Sequence, residues 1–476
     1  MVKILNEDMV DVSESGFSTR SVNMSILICG IVLSIVSIMG PNPGLCAISF
    51  ISLFFIFKFL YKSLYLSGFL LAFIYQWVQV NIKVLLGTFT FTPLTELTRF
   101  PDNIIIAFLL SNIGLVVMTW GIGLTLNRIH FDDTEIRKLV MRCNLWKIVI
   151  SYFAVTLISS LFPVGLAEFA VQFAAFKWVL YYLIFLVCFI QNRSKGLLIC
   201  FVVFEFTLGL ASYFSSWKNI LFYVAVSYLA VKRLTSRQVF IGAIFGVLVI
   251  YLGLIWTGVK GDYRTYVGQG GKQVVLVSNV DAISKILNLA NSYKINNKVV
   301  NEFVNRISYI DYFSSCIKYV PEIQPHEDGK LTFQALTHII TPRVIFRDKA
   351  IIDESSHLTK YTGVFYSNFS MGVSFSLGYF GDLYVDFGLW LMMPALFLLG
   401  LLIGKLFSNL YQNSPNELIG LIILQISFML LYKFEISLLK LIGTLTVFWI
   451  LYRLLCYKGL SEFSNWIFNN DVDDIS

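Results

Sequence analysis

Long apolar runs separated by short polar joints make up most of the chain. Runs near the length of a membrane-crossing helix lie at 24–40, 44–61, 64–86, 103–126, 146–162, 166–190, 196–214, 218–231, 238–257, 388–407, 416–432 and 436–454. A helix needs roughly 20 mostly apolar residues to cross the hydrocarbon core of a bilayer. Lipid offers no hydrogen-bond partner to an open strand edge, so such runs are expected to be helices. The pattern changes once, between Trp256 and Gly388, where a long stretch is rich in arginine, lysine, aspartate and tyrosine. The expected organisation is an N-terminal segment at 1–23, a first block of spans at 24–257, a large loop at 258–387, a second block at 388–454 and a tail at 455–476. The loop falls after the ninth run rather than midway, and no repeat relates the two halves.

Composition agrees with that pattern. Apolar residues make up 57% of the chain and charged residues 14%, where a soluble domain carries about 25% charge. Mean hydropathy is +0.73. The expected class is an all-α polytopic membrane protein of about 12 spans with one large, partly helical loop. The net charge of +7 is read as topology-setting lysine and arginine, not as a sign of nucleic acid. Lys58, Lys62, Arg128, Arg137, Lys138, Arg142, Lys147, Arg193, Lys195, Lys232, Arg233, Arg237, Lys405, Arg453 and Lys458 fall on one side of the expected spans. The short connections on the other side hold Arg99, Lys218 and Lys433. By the positive-inside rule both termini are cytoplasmic and the 258–387 loop is external. Residues 1–23 are polar and acidic, so the first span is expected to be a retained anchor rather than a cleaved signal. The seven cysteines are scattered without a metal-binding spacing, and only Cys316 lies in the loop.

The loop carries the candidate chemistry. It opens with Lys260-Gly261-Asp262-Tyr263-Arg264. Apolar spacing predicts one helix over 274–290 and a second over 298–319, the second ended by Pro321. Arg306 and Asp311 ride the second helix five positions apart, which does not make them a facing pair. Thr341-Pro342 reads as a helix start, from which Arg343 and Arg347 project on one face with Lys349 beyond. Two forked guanidiniums beside a helix N-terminus suit a phosphate or pyrophosphate, while lipid headgroups or Asp348, Asp353 and Glu354 could equally take them. The loop closes with Gly381-Asp382-Leu383-Tyr384-Val385-Asp386-Phe387-Gly388. Asp382 and Asp386, four apart, could form a carboxylate pair suited to proton transfer, or could simply cap and solvate a helix start. His338 is an acid–base candidate; no HExxH or comparable pair exists, so no metal site is expected. Lys83, Glu168, Gln172, Lys177, Glu205 and Lys440 place polar chemistry inside spans. Snorkelling would explain Lys83 and Lys440 but not the mid-span Glu205.

These residues resemble the Wzy-type polymerases of polysaccharide repeat units. The resemblance rests on Arg306 with Ile310-Asp311, on Pro342-Arg343 through Asp348-Lys349, and on Gly381 to Gly388. It departs from the family at Asp382, where glutamate is usual, at Asp386, where asparagine is usual, and at Ala350, where proline is common. The resemblance implies a GT-C-like, multi-pass glycosyltransferase of the bacterial cytoplasmic membrane without a cofactor. Its substrates would be a glycan donor and an acceptor repeat unit, both on undecaprenyl pyrophosphate. A chain-length regulator, a flippase and membrane lipids would be partners. The product would be an O-antigen, capsule or exopolysaccharide. Arg343, Arg347 and Lys349 would hold pyrophosphate, supported by Arg264, Arg306 and Lys260. Asp382, His338 or Asp386 would handle the proton, and Tyr384 would contact sugar. A glycan ligase would need the same cations. A transporter would place its charges near the bilayer midplane and use internal repeats.

Overall fold

The computed structural model describes residues 26–468 apart from 29, 36, 62, 163–166, 214–216, 232–235, 270–274, 341–352 and 366–373. The described residues are helical and form no strand beyond an isolated bridge between Cys143 and Phe468. In chain order the helices are α1 (Pro43–Leu60), α2 (Ser67–Thr90), α3 (Ile104–Leu126), α4 (Asp133–Arg142), α5 (Leu145–Ser160), α6 (Ala167–Ile190) and α7 (Lys195–Ala211). They continue with α8 (Trp217–Val231), α9 (Ser236–Val267), α10 (Asn279–Ser292), α11 (Asn297–Ile307), α12 (Ile310–Tyr319), α13 (Lys330–Ile340) and α14 (Glu354–Thr362). The chain then forms α15 (Gly378–Gln412), α16 (Glu417–Leu424), α17 (Ser427–Leu431), α18 (Leu438–Tyr457) and α19 (Gly459–Ile467). Among the described residues seven helices are long and apolar enough to cross a membrane: α1, α2, α3, α15 and the greater parts of α6, α9 and α18. The other apolar runs are also helical, but shorter or broken.

Two kinds of contact hold the apolar helices together. The first is close backbone approach. Gly121 of α3 faces the Phe397 carbonyl, and Gly400 of α15 faces the Met118 carbonyl; a Cβ at either position would come within 2.5 Å or less of that oxygen. Apolar helices in lipid gain little from side-chain burial alone, so small residues that bring backbones together are a main source of packing energy. The second is amide and hydroxyl pairing. Ser52 of α1 donates to Asn112 of α3 at 2.6 Å, and Asn81 of α2 donates to the same oxygen at 3.1 Å. The mid-span Glu205 of α7 is satisfied in a similar way. It receives the Lys177 ammonium at 3.0 Å and the Tyr152 hydroxyl, while Lys177 also lies over the Trp178 ring.

Two of the apolar helices are interrupted. The 416–432 run breaks at Gln425-Ile426 into α16 and α17. Gln425 accepts from Ser67 and from the Gly68 amide, and donates to the Tyr65 carbonyl at 2.7 Å, which fixes the break against the start of α2. α15 is interrupted at Gly388, whose φ of +66° favours glycine. Residues 379–386 ahead of that kink are buried at every position, as expected for a helix enclosed on all sides.

The polar segment differs from the sequence expectation in two places. Lys260 to Arg264 do not open a loop: they are the last turns of α9, held by a small core of Trp256, Val259, Tyr263, Ala282 and Ile286. The helix expected over 298–319 is also two helices, broken at Ser308-Tyr309. The Tyr309 amide donates to the Gln79 carbonyl of α2 at 3.0 Å, and its ring packs on Phe434. This insertion turns Arg306 and Asp311 toward different partners.

Candidate anion-binding site

Asp311, Glu327 and Glu354 of the polar segment are structural ties. Asp311 accepts from Lys83 at 2.5 Å and from Thr98 at 2.6 Å, joining α12 to α2. Lys83 is fully buried, so its ammonium is neutralised rather than snorkelling. Glu354, the first residue of α14, accepts from Ser437 at 2.6 Å and from Lys440 at 2.5 Å. Glu327 gathers the Lys360 ammonium at 2.8 Å, the Tyr361 hydroxyl at 2.8 Å and Lys330 at 3.4 Å. The bonds from Lys360 and then Tyr361 hold its carboxyl down to about 2.

Asp382 and Asp386 share a helix but do not form a facing pair. Asp386 accepts from the Leu331 and Thr332 amides at 2.9 and 2.7 Å and from the Thr332 hydroxyl, capping the start of α13. Asp382 accepts from the Leu438 amide of α18 at 2.8 Å through one oxygen and meets His357 Nε2 at 2.9 Å through the other. Both carboxylates are buried. Tyr384 is buried too, its hydroxyl donating to the Val320 carbonyl at 2.9 Å. His338 lies half-buried in the last turn of α13. Arg343, Arg347 and Lys349 lie outside the described residues, as does the expected helix start at Thr341.

His357 gains a role that its position in the sequence did not suggest. Burial pushes its imidazole down, and the Asp382 carboxylate more than offsets this, so the ring titrates above its ordinary value. Nε2–H donating to Asp382 would leave Nδ1 as an acceptor, and the side chain is 27% exposed.

Three of the expected cations do converge. Arg306 ends α11 within electrostatic range of Arg264 and Glu435, and Lys260 lies within range of both Arg306 and Arg264. Lys218 at the start of α8 and Lys433 in the link between α17 and α18 complete the group, each interacting with Glu435. In the sequence Lys218 and Lys433 stand only as cations of short connections, and nothing in the linear order joins them to Arg306. The Arg264 guanidinium donates to the Tyr213 carbonyl at 3.2 Å and lies over the Tyr213 ring. Among the described residues no carboxylate lies within 4.0 Å of Lys218, Lys260, Arg306 or Lys433.

Arg306 is exposed, yet desolvation is the first cause holding its pKa below the ordinary value, followed by repulsion from Arg264. Lys218, Lys260, Arg264, Arg306 and Lys433, coupled electrostatically to one another or to Glu435, form a candidate site for an anion of more than one charge. An open apolar cleft of about 300 Å³ near Pro41, Ile48, Leu94 and Ile105 involves none of these residues.

Among the described residues the fold is α-helical, with seven helices long and apolar enough to cross a membrane, and it brings several cations into electrostatic range of one another. Residues 102–433 match a family described as Domain of unknown function (DUF8712), and the chain belongs to that family. No curated protein and no solved structure matches the chain.

Proposed function

We propose that the chain is a GT-C-like polymerase of the bacterial cytoplasmic membrane with about twelve spans. It joins oligosaccharide repeat units carried on undecaprenyl pyrophosphate, and its polar segment lies outside. The observation that carries this reading is the cluster of Lys218, Lys260, Arg264, Arg306 and Lys433. A lipid pyrophosphate enters from the bilayer with two phosphates and no counter-ion of its own, and such a cluster supplies the opposite charge. In the reaction an acceptor hydroxyl attacks the donor's anomeric carbon, the bond to the pyrophosphate oxygen breaks, and the hydroxyl proton must leave. Cations fixed around the leaving pyrophosphate stabilise charge as it develops. Arg343, Arg347 and Lys349 belong to this role through the resemblance.

Asp382 suits the proton-acceptor role poorly, because both of its oxygens are engaged. His357, oriented by Asp382 and raised in pKa, suits it better: Asp382 positions the ring and Nδ1 accepts the proton. Complementation of a polymerase-null strain, scored by glycan chain length, tests the reading. Arg306→Ala and Lys433→Ala, expressed at normal level, are expected to leave single repeat units. Full-length polymer from both would remove the pyrophosphate assignment. Long polymer retained on the lipid in the deletion strain would instead indicate a ligase, and repeat units trapped inside the cell a transporter.

A further inference from the structure

Beyond its first residue, α13 is a helix of the polar segment without charge. Residues 331–340 hold no Asp, Glu, Lys or Arg, whereas α10, α11, α12 and α14 each hold at least two. Phe333 and Leu336 point outward, 67% and 48% exposed, with the neutral Gln334 beside them, while Leu331 and Ala335 are buried. Its threonines are satisfied without water: the Thr332 hydroxyl donates to Asp386 at 2.6 Å and that of Thr337 to the Phe333 carbonyl at 3.0 Å. Lys330, at the helix start, pairs with Glu327 at 3.4 Å. The attachment of that start fixes where α13 can run. Asp386 caps α13, and Asp382, one turn earlier on α15, accepts the first amide of α18, so both helices start from carboxylates about 6 Å apart along α15. α18 extends only one way from that level, as an apolar helix long enough to cross a membrane, and α13 packs against it. A Cβ on Gly329 would meet the Phe387 ring at 3.5 Å, and Trp390, three residues on, is 83% exposed, as suits a tryptophan at a membrane–water boundary. The chain is back at the start of α18 by Glu354, which accepts from Ser437 at 2.6 Å.

We propose that α13 is a re-entrant helix, which leaves the polar side at Lys330, lies in the bilayer against α18 and presents Phe333 and Leu336 to lipid hydrocarbon chains. Ten residues of helix correspond to about 15 Å, half of a hydrocarbon core of about 30 Å. A helix satisfies its own backbone and can face lipid, which an irregular loop cannot. The polar segment therefore has one side open to the bilayer, from which a molecule carried on a lipid can approach it laterally. The membrane reading of the fold is required for this, and the polymerase reading is not.

Spin labelling of the full-length chain in liposomes tests the placement of α13. In a background lacking the native cysteines, single nitroxides are attached at Phe333→Cys and Leu336→Cys. Leu398→Cys on the exposed face of α15 and Ser284→Cys on α10 serve as references for lipid and for water. Oxygen concentrates in hydrocarbon and a nickel chelate in water. The ratio of oxygen to nickel accessibility at Leu336→Cys is expected to match that at Leu398→Cys and to exceed that at Ser284→Cys severalfold. Phe333→Cys reads the same face should Leu336→Cys fail to fold. A ratio like that at Ser284→Cys would leave α13 in water and overturn the proposal. Low access to both reagents, with an immobilised spectrum, would put protein rather than lipid on this face and overturn it equally. A water-like ratio at Leu398→Cys as well would overturn the membrane reading of α15 and the proposal with it.

Discussion

Lys83 shows how little a single residue's place in a sequence says about its job. A lysine near the end of an apolar run reads as a snorkelling side chain, yet here its ammonium is buried against Asp311, 228 positions away. Nothing local to either residue could have paired them. Removing one partner of a buried pair leaves an uncompensated charge, so Lys83→Met or Asp311→Ala should each cost about 3–5 kcal/mol. The double change Lys83→Met with Asp311→Leu should recover most of that loss. Thermal unfolding in detergent decides it: a double variant no more stable than the weaker single one would mean the pair is not the reason Lys83 is tolerated. His357 yields a second prediction at this scale. Its pKa is raised in the folded state by Asp382. The stability it contributes is therefore complete below the ordinary imidazole value of about 6.5 and is lost as pH rises through the folded value. Melting temperature followed from pH 5.5 to 8.5 should show that loss in the native chain. His357→Gln should lack this component; an unchanged profile would rule out the charged pair.

The helices themselves were legible, and their interruptions were not. Each apolar run contains helix, because length and hydropathy alone force backbone hydrogen bonds inward in lipid. The break at Gln425 and the split at Ser308-Tyr309 are met by groups distant in the sequence, Tyr65 and Gly68 at the first and the Gln79 carbonyl at the second, and the kink at Gly388 sits against His326. The same limit applied to the site. Arg306, Arg264 and Lys260 were recognisable as cations of one polar segment, whereas Lys218 and Lys433 join them only once α8 and the α17–α18 link are folded. Asp382 and Asp386 were legible as acids four apart at a helix start but not as buried ties to α18 and α13. Close helix approach makes a direct prediction here. A Cβ on Gly400 would lie 2.3 Å from the Met118 carbonyl, which is backbone and cannot yield as a side chain would. Gly400→Val should separate α3 from α15 and destabilise the protein by about 1–3 kcal/mol, the usual range for overpacking. A melting temperature unchanged by Gly400→Val would show that these two helices are not closely packed. Gly443, inside α18 with open space around its Cβ position, provides the control, and Gly443→Ala should not destabilise the protein.

For the whole molecule the question is which side of the membrane each end of the bundle faces. The elbow between α4 and α5 carries the densest cations of the first block, and the last helix is fastened to it. The Asn144 amide donates to the Ile467 carbonyl, and the Lys147 ammonium to the Phe468 carbonyl at 3.1 Å. Lys147 also lies over the Trp466 ring, and Arg142 over that of Phe468. α19 and the α4–α5 elbow therefore share one side, whichever side that is. The cation cluster lies at the other ends of the helices: the last turns of α9, the start of α8 and the α17–α18 link. On the proposed reading the positive-inside rule puts the elbow in the cytoplasm and the cluster at the outer face, where lipid-linked sugars would be displayed. Cysteine accessibility tests this independently of activity. Ser284 on α10 and Thr134 on α4 are both exposed, one in the polar segment and the other beside the elbow. In a background lacking the native cysteines, a membrane-impermeant maleimide should label Ser284→Cys in intact cells. Thr134→Cys should react only after the membrane is opened. The reverse pattern would put the cation cluster on the cytoplasmic side, where a lipid-pyrophosphate glycan awaiting polymerisation would not meet it, and the polymerase reading would fall even if the anion site stood.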